Sequence, residues 1–257
     1  MDLKIEKRHA LVTGASRGLG RAIASALAAE GAEVIAVARS VERLNELAAS
    51  VESGRGTITA HVCDLAKASA IADLAGQLQH VDILVLNTGG PPPGSAADTS
   101  DAVWSQQFDA MFMSAIRLTR LALPGMRERK FGRILAVVSS GVIQAIPNLG
   151  VSNALRSALV GWAKTLASEV ASEGITVNCI APGRIATDRV AELDQARAKR
   201  EGIAIAEIEA QSRAAIPAGR YGDPAEFASV AAFLASPHAS YMTGGILRVD
   251  GGMIRSV

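Results

Sequence analysis

Apolar residues along this chain follow two alternating rhythms. Short unbroken runs rich in Val, Ile and Ala alternate with longer stretches in which apolar positions recur every three or four residues. The first kind predicts strands at residues 9–12, 33–38, 57–62, 81–86, 133–138, 175–180 and 246–249. The second predicts helices at 18–30, 41–51, 67–78, about 102–129, 150–171 and 224–235, with a charged helical segment before the last. Regular alternation of strand and helix implies an α/β fold: a doubly wound, seven-stranded parallel sheet with helices on both faces. Continuously apolar strands fit a sheet covered on both sides. No repeat, low-complexity tract or linker interrupts the pattern, so residues 1–257 read as one domain.

Composition narrows the class. The 257 residues are 49% apolar and 20% charged, with aromatics at only 4%, so aliphatic side chains must fill a sizeable core. A net charge of +1 gives no footing for nucleic-acid or membrane-surface binding. Cys63 and Cys179 lie far apart inside strand-like runs and read as reduced core residues, with no disulfide or metal spacing. The start, Met1 to Arg8, is charged and lacks the apolar stretch of a signal peptide. No run approaches the ~18 apolar residues of a membrane span. A soluble cytoplasmic protein is expected.

The stretch Thr13-Gly14-Ala15-Ser16-Arg17-Gly18-Leu19-Gly20 joins the first strand to the first helix. Glycines let backbone take positive φ and approach a ligand closely. The first amides of the following helix then face an anion, with the positive end of the helix dipole behind them. The spacing is not that of the common GxGxxG fingerprint, so the turn alone reads either as a dinucleotide cradle or as a tight ligand-free corner. Its strand–turn–helix setting favours the dinucleotide.

In such a sheet, ligands sit beyond the carboxyl ends of the strands, so the residues just after each strand are the ones to inspect. Arg39 follows the second strand, where an acid would hold a ribose 2′-hydroxyl and an arginine suits a 2′-phosphate. No acid stands among Val37, Ala38 and Ser40, and Arg17 lies in the glycine turn. NADP (NADPH) is the expected cofactor, the opposing reading being two solvated surface arginines. Asp64 ends the third strand and reads as an acceptor for the adenine amino group, as a helix cap, or both. Asn87-Thr88-Gly89-Gly90 ends the fourth, followed by the stiff loop Pro91-Pro92-Pro93-Gly94.

These motifs, with Ser139-Ser140, Asn178, Pro182-Gly183 and Val249-Asp250-Gly251-Gly252, resemble the short-chain dehydrogenase/reductase family over essentially the whole chain. The resemblance implies a Rossmann-type fold with NADP held by Gly14, Ser16, Arg17, Gly18, Leu19, Arg39, Asp64, Leu65, Asn87, Gly89, Arg156, Pro182, Gly183, Ile185 and Thr187. It implies a small-molecule substrate and a homotetramer or homodimer. It also implies a substrate lid, here two helices within about residues 188–215 divided near Gly202. Ile203, Ile205 and Ile208 would line the pocket or simply dock the lid. The stripe Leu155, Leu159, Trp162, Leu166 reads as core more than as interface.

Members of that family carry a Tyr-x-x-x-Lys pair, a serine before it and an asparagine in the preceding long helix. Aligned to that pattern, this sequence places Ser152 at the tyrosine, Arg156 at the lysine and Met111 at the asparagine, while Ser140 matches. Tyr221 and Tyr241 fall in segments that read as structural. A phenol titrates near ~10 and a neighbouring cation brings it lower. A serine hydroxyl is a weaker acid on a shorter arm, and arginine, staying protonated, relays no proton. Ser152 and Arg156 are nonetheless i, i+4 neighbours on one helix face. The expected activity is an NADP-dependent oxidoreductase acting on a carbonyl or alcohol, 3-oxoacyl-reductase-like, with an altered proton donor. Ser140 would bind the carbonyl oxygen, Ser152 or a water on it would supply the proton, and Arg156 would stabilise the oxyanion. The alternative is a weak or inactive NADP-binding sensor or scaffold. Arg184, after Pro182-Gly183, joins Arg156 in pointing to an anionic substrate, unless it pairs with Asp188 or a cofactor phosphate.

Overall fold

The computed structural model describes residues 2–51 and 55–256. Seven parallel strands form one sheet in the order β3-β2-β1-β4-β5-β6-β7. They are β1 His9–Thr13, β2 Glu33–Ala38, β3 Thr57–Val62, β4 Ile83–Leu86, β5 Gly132–Val137, β6 Ile175–Pro182 and β7 Ile246–Val249. Strand order reverses between β1 and β4, and the carboxyl ends of those two neighbours define the crevice where such sheets bind ligands.

Ten helices accompany the strands among the described residues: α1 Gly18–Ala29, α2 Val41–Ala49, α3 Ala68–Ala72, α4 Ala75–Leu78, α5 Asp101–Gln107, α6 Ser114–Arg129, α7 Gly150–Val170, α8 Asp188–Glu201, α9 Ile205–Ala214 and α10 Pro224–Ala235. One face of the sheet is covered by α1, α2 and α10, whose Ile23, Leu27, Leu44 and Phe227 are fully buried. The other is covered by α6 and α7 with the short α3 and α4, through Leu118, Ala122, Leu159 and Val170. Both cysteines are free and buried, and burial pushes the Cys179 thiol up to about 12. No helix among the described residues is long and apolar enough to cross a membrane.

Two expected helices are interrupted. The stretch 67–78 divides into α3 and α4. The long helix at 102–129 contains a π-helical turn, Phe108–Met113, between α5 and α6. Ser114 Oγ donates to Ala110 O at 2.7 Å beside that turn. The turn carries Met111 into a small apolar cluster with Val151, Leu155 and Trp104. The segment expected to form the lid divides as expected: α8 ends where Gly202 takes φ 70°, and α9 begins soon after.

Candidate active site

The glycine turn is built by close backbone approach. Gly14 has φ 61°, and a Cβ there would come within 2.6 Å of Asn87 O. A Cβ on Gly20 would meet Gly14 O at 2.3 Å. Asn87, just past β4, stitches the corner: its Nδ2 donates to Thr13 O and Gly14 O at 3.3 and 3.4 Å, and its backbone amide donates to Thr13 Oγ1 at 2.8 Å. No side chain caps α1 and no acid stands in its first turn, so its leading amides remain available to an anion. Ser16 and Leu19 flank the turn, half-buried. These features fit a dinucleotide phosphate.

Around that corner the expected residues gather unevenly. Thr187 lies against Gly18, 3.5 Å from where a Cβ would stand, so the loop after β6 reaches the glycine turn. Gly183 is seated against Asp250, leaving 2.6 Å to its Cα for any added Cβ, and its amide donates to Val249 O. Ile185 is buried and bridges to Gly222. Gly89 faces open space. Arg39 is exposed after β2 and has no ion-pair partner among the described residues. Asp64 accepts from Ala66 N at 3.2 Å, closing a local turn while α3 starts later, at Ala68. Leu65 beside it packs on the core. Arg17 is engaged by α8, its Nη1 2.6 Å from Glu192 Oε1 and 3.6 Å from Asp188 Oδ2.

Beyond the carboxyl ends of β4 and β5 lies the second half of the site. Arg156, on α7, is only 8% exposed. Its Nη1 donates to Val137 O at 2.6 Å, at the end of β5, and its Nη2 to Thr88 O at 3.4 Å, just past β4. No carboxylate pairs with it among the described residues. Burial first, and then the nearby Arg189 guanidinium, push its pKa down to about 10, which leaves it protonated at neutral pH. Ser152, one turn before it on α7, and Ser140, just past β5, are buried at 7% and 4% exposure. Asn153 holds the intervening loop: its Nδ2 donates to Ile146 O at 2.9 Å, and its Oδ1 would lie 2.4 Å from a Cβ on Gly141.

Two expectations change here. Arg184 is not free for a substrate; it pairs with the buried carboxylate of Asp194 on α8, which also accepts from Tyr221 Oη at 2.7 Å. Neither Asp188 nor a phosphate is needed to explain it. Burial, followed by that carboxylate, holds the Tyr221 phenol above its ordinary pKa, which suits structure and not proton donation. The three lid isoleucines also part ways: Ile208 is fully buried while Ile205 is 42% exposed. The arginine that does approach Arg156 is Arg189, on the first turn of α8, whose Nη2 donates to Pro91 O at 2.7 Å. In the sequence it looks like one more charge on a solvated helix. Asn153 gave no signal either, because its partners lie in an irregular loop.

Residues 14–254 match the family described as enoyl-(acyl carrier protein) reductase. The 3-oxoacyl-(acyl-carrier-protein) reductase of Salmonella typhimurium is 38% identical over 254 residues, covering 98% of this chain and 99% of that one. The chain belongs to the short-chain dehydrogenase/reductase family. Among solved members, the L-sorbose reductase of Gluconobacter frateurii, crystallised with NADPH and L-sorbose, superposes with a TM-score of 0.93 at 32% identity over all of both chains. An NADPH-dependent reductase involved in bacilysin biosynthesis superposes at 0.89 with 28% identity, over 98% of this chain and 100% of the other. The short-chain dehydrogenase/reductase fold thus accounts for the strand order and the glycine corner together.

Proposed function

We propose that this protein is an NADPH-dependent carbonyl reductase of the short-chain dehydrogenase/reductase family, in which Ser152 and Arg156 occupy the places of the usual tyrosine and lysine. The observation that carries this reading is the buried, carboxylate-free Arg156 strung between the ends of β4 and β5, with Ser140 and Ser152 buried nearby. The glycine corner, Asn87, Gly89, Pro182, Gly183, Ile185 and Thr187 would hold the dinucleotide, with Asp64 and Leu65 toward the adenine. Arg39, and Arg17 once released from Glu192, would take the 2′-phosphate. NADPH serves both of the structural relatives named above, and this chain carries an arginine where a 2′-hydroxyl reader would carry an acid.

Bound NADPH would supply a hydride to the carbonyl carbon. Ser140 donates a hydrogen bond to the carbonyl oxygen. Arg156 then stabilises the negative charge developing on that oxygen, in a site with little water to screen it. The proton that completes the alcohol comes from Ser152 or from a water on its hydroxyl. Met111 sits in an apolar cluster, so the water relay of the usual asparagine has no anchor there. The buried, unpaired thiols suit a reducing cytoplasm, and the family's usual oligomers would place α6 and α7 between subunits.

Stopped-flow NADPH consumption with Ser152→Ala and Arg156→Ala tests the assignment. Both variants should lose rate, and Ser152→Ala should keep NADPH affinity. Unchanged rates in both would remove these roles. NADPH binding without turnover across a broad carbonyl panel would replace the reductase by a cofactor-binding sensor.

A further inference from the structure

The geometry points to a substrate that carries its own free carboxylate close to the reacting carbonyl, read by Arg189 of the lid opposite Arg156. This rests on the reductase reading above and names its substrate class. Two guanidiniums converge on the loop that follows β4. Arg156 bonds Thr88 O, and Arg189 bonds Pro91 O three residues further on. A Cβ on Gly90 between them would lie only 3.0 Å from Arg189 Nη2, so the glycine makes room for that side chain.

Charge around this pair is unbalanced. Arg156 has no carboxylate partner among the described residues. Among the described residues the one acid paired with Arg189 is Glu192, 3.8 Å away, and Glu192 already holds Arg17 at 2.6 Å. Asp194, which would otherwise supply negative charge from the same helix, is spent on Arg184 and Tyr221. The Arg189 charge acts on the buried Arg156 and repels it, and an anion between them would remove that repulsion. A guanidinium fork matches a carboxylate in both shape and charge. Since Arg156 already faces the carbonyl oxygen in the reductase reading, Arg189 is left for a second anionic group on the same small molecule. A 2-oxo or 3-oxo acid has that group within two or three bonds of the carbonyl. A thioester or a simple ketone lacks it.

The test compares acetoacetate with methyl acetoacetate, and pyruvate with methyl pyruvate, in wild type and Arg189→Gln, with Arg189→Lys as the conservative variant. Wild type should favour each acid over its ester. Arg189→Gln should cut that preference at least about tenfold through the KM of the acids, with Arg189→Lys partly restoring it. Equal use of acid and ester by wild type overturns the proposal. So does a weakened Kd for NADPH in Arg189→Gln with an unchanged preference, which would assign Arg189 to the cofactor's phosphates. If no carbonyl is reduced at all, the reductase reading fails on its own. Malonate against malonamide, titrated by NADPH fluorescence, then decides the carboxylate site: malonate bound by wild type and lost in Arg189→Gln upholds it, and no malonate binding overturns it.

Discussion

Two arginines are buried at opposite ends of β5, and they do different work. Arg133, at the amino end, is 3% exposed and has no carboxylate partner among the described residues. Arg156, at the carboxyl end, shares both properties. Burial lowers each pKa to about 10, helped at one end by Arg8 and at the other by Arg189. Their donors separate them. Arg133 gives Nε to Ser236 O and Nη1 to Gly132 O and Gly174 O, and lies 4.3 Å over the Phe131 ring, with Arg8 4.0 Å from the same ring. Its carbonyls tie β5 to the turn before β6 and to the end of α10. Arg156 reaches only Val137 O and Thr88 O and borders the crevice at the strand reversal. A buried guanidinium therefore does not by itself mark a reaction centre. In the proposed reading, what sets Arg156 apart is its place beyond the carboxyl edge of the sheet.

The sharpest way to break this contrast is exchange of function for stability. Arg156→Ala should lower kcat by about 10²–10³, the usual consequence of removing an oxyanion donor, with a smaller loss in urea midpoint than Arg133→Ala because it frees two backbone acceptors and not three. Arg133→Ala should do the reverse, costing roughly 3 kcal/mol in urea unfolding as its backbone acceptors lose a charged donor, while NADPH binding by the folded protein persists. If both variants lose activity and stability alike, the contrast is void. Next in size, Met111→Asn strands an amide among Val151, Leu155 and Trp104. It should cost about 1–2 kcal/mol without raising kcat, because an unpaired buried amide is unfavourable; a rate gain would mean that a water relay can form there after all.

The smallest effect concerns alkaline pH. Both folded-state pKa values lie near 10, below the ordinary guanidinium range, so above pH 10 and up to that range the unfolded chain binds more protons than the native one. These two groups thus add to stability as pH rises through that window, and nothing of theirs is lost in acid. The rate should behave oppositely, falling as Arg156 loses its proton near pH 10. Arg189→Gln, removing one of the two causes of the shift, should move that limb upward. A pH–rate profile alongside urea melts checks both signs.

Much of the fold was legible because it depends on local periodicity. β2, β3, β7 and α10 occupy the expected residues, and the Asp223-Pro224 start of α10 forms a capping box with Glu226. The division of the lid at Gly202 was readable for the same reason. The π-turn at Phe108–Met113 was not, since one inserted residue leaves an apolar pattern almost unchanged. Site residues divide similarly. Glycines announce close backbone approach, and Ser140, Ser152 and Arg156 came from the motif. Side-chain partners chosen across the fold stayed hidden. Asp194 claims Arg184 and Tyr221 from ten and 27 residues away, and Arg189 reaches Pro91 from 98 residues away. No local pattern encodes such distances.

The contact between Arg17 and Glu192 works as a strap from the glycine corner to α8. Both side chains are 46% exposed, and exposed pairs of this kind hold by less than about 1 kcal/mol. Thermal agitation alone therefore unbuckles it often. A phosphate arriving at Arg17 would trade one oxyanion for another at nearly level energy. Added salt weakens the old buckle and the new one together, so coenzyme uptake should tolerate changes in ionic strength better than a bare arginine would allow.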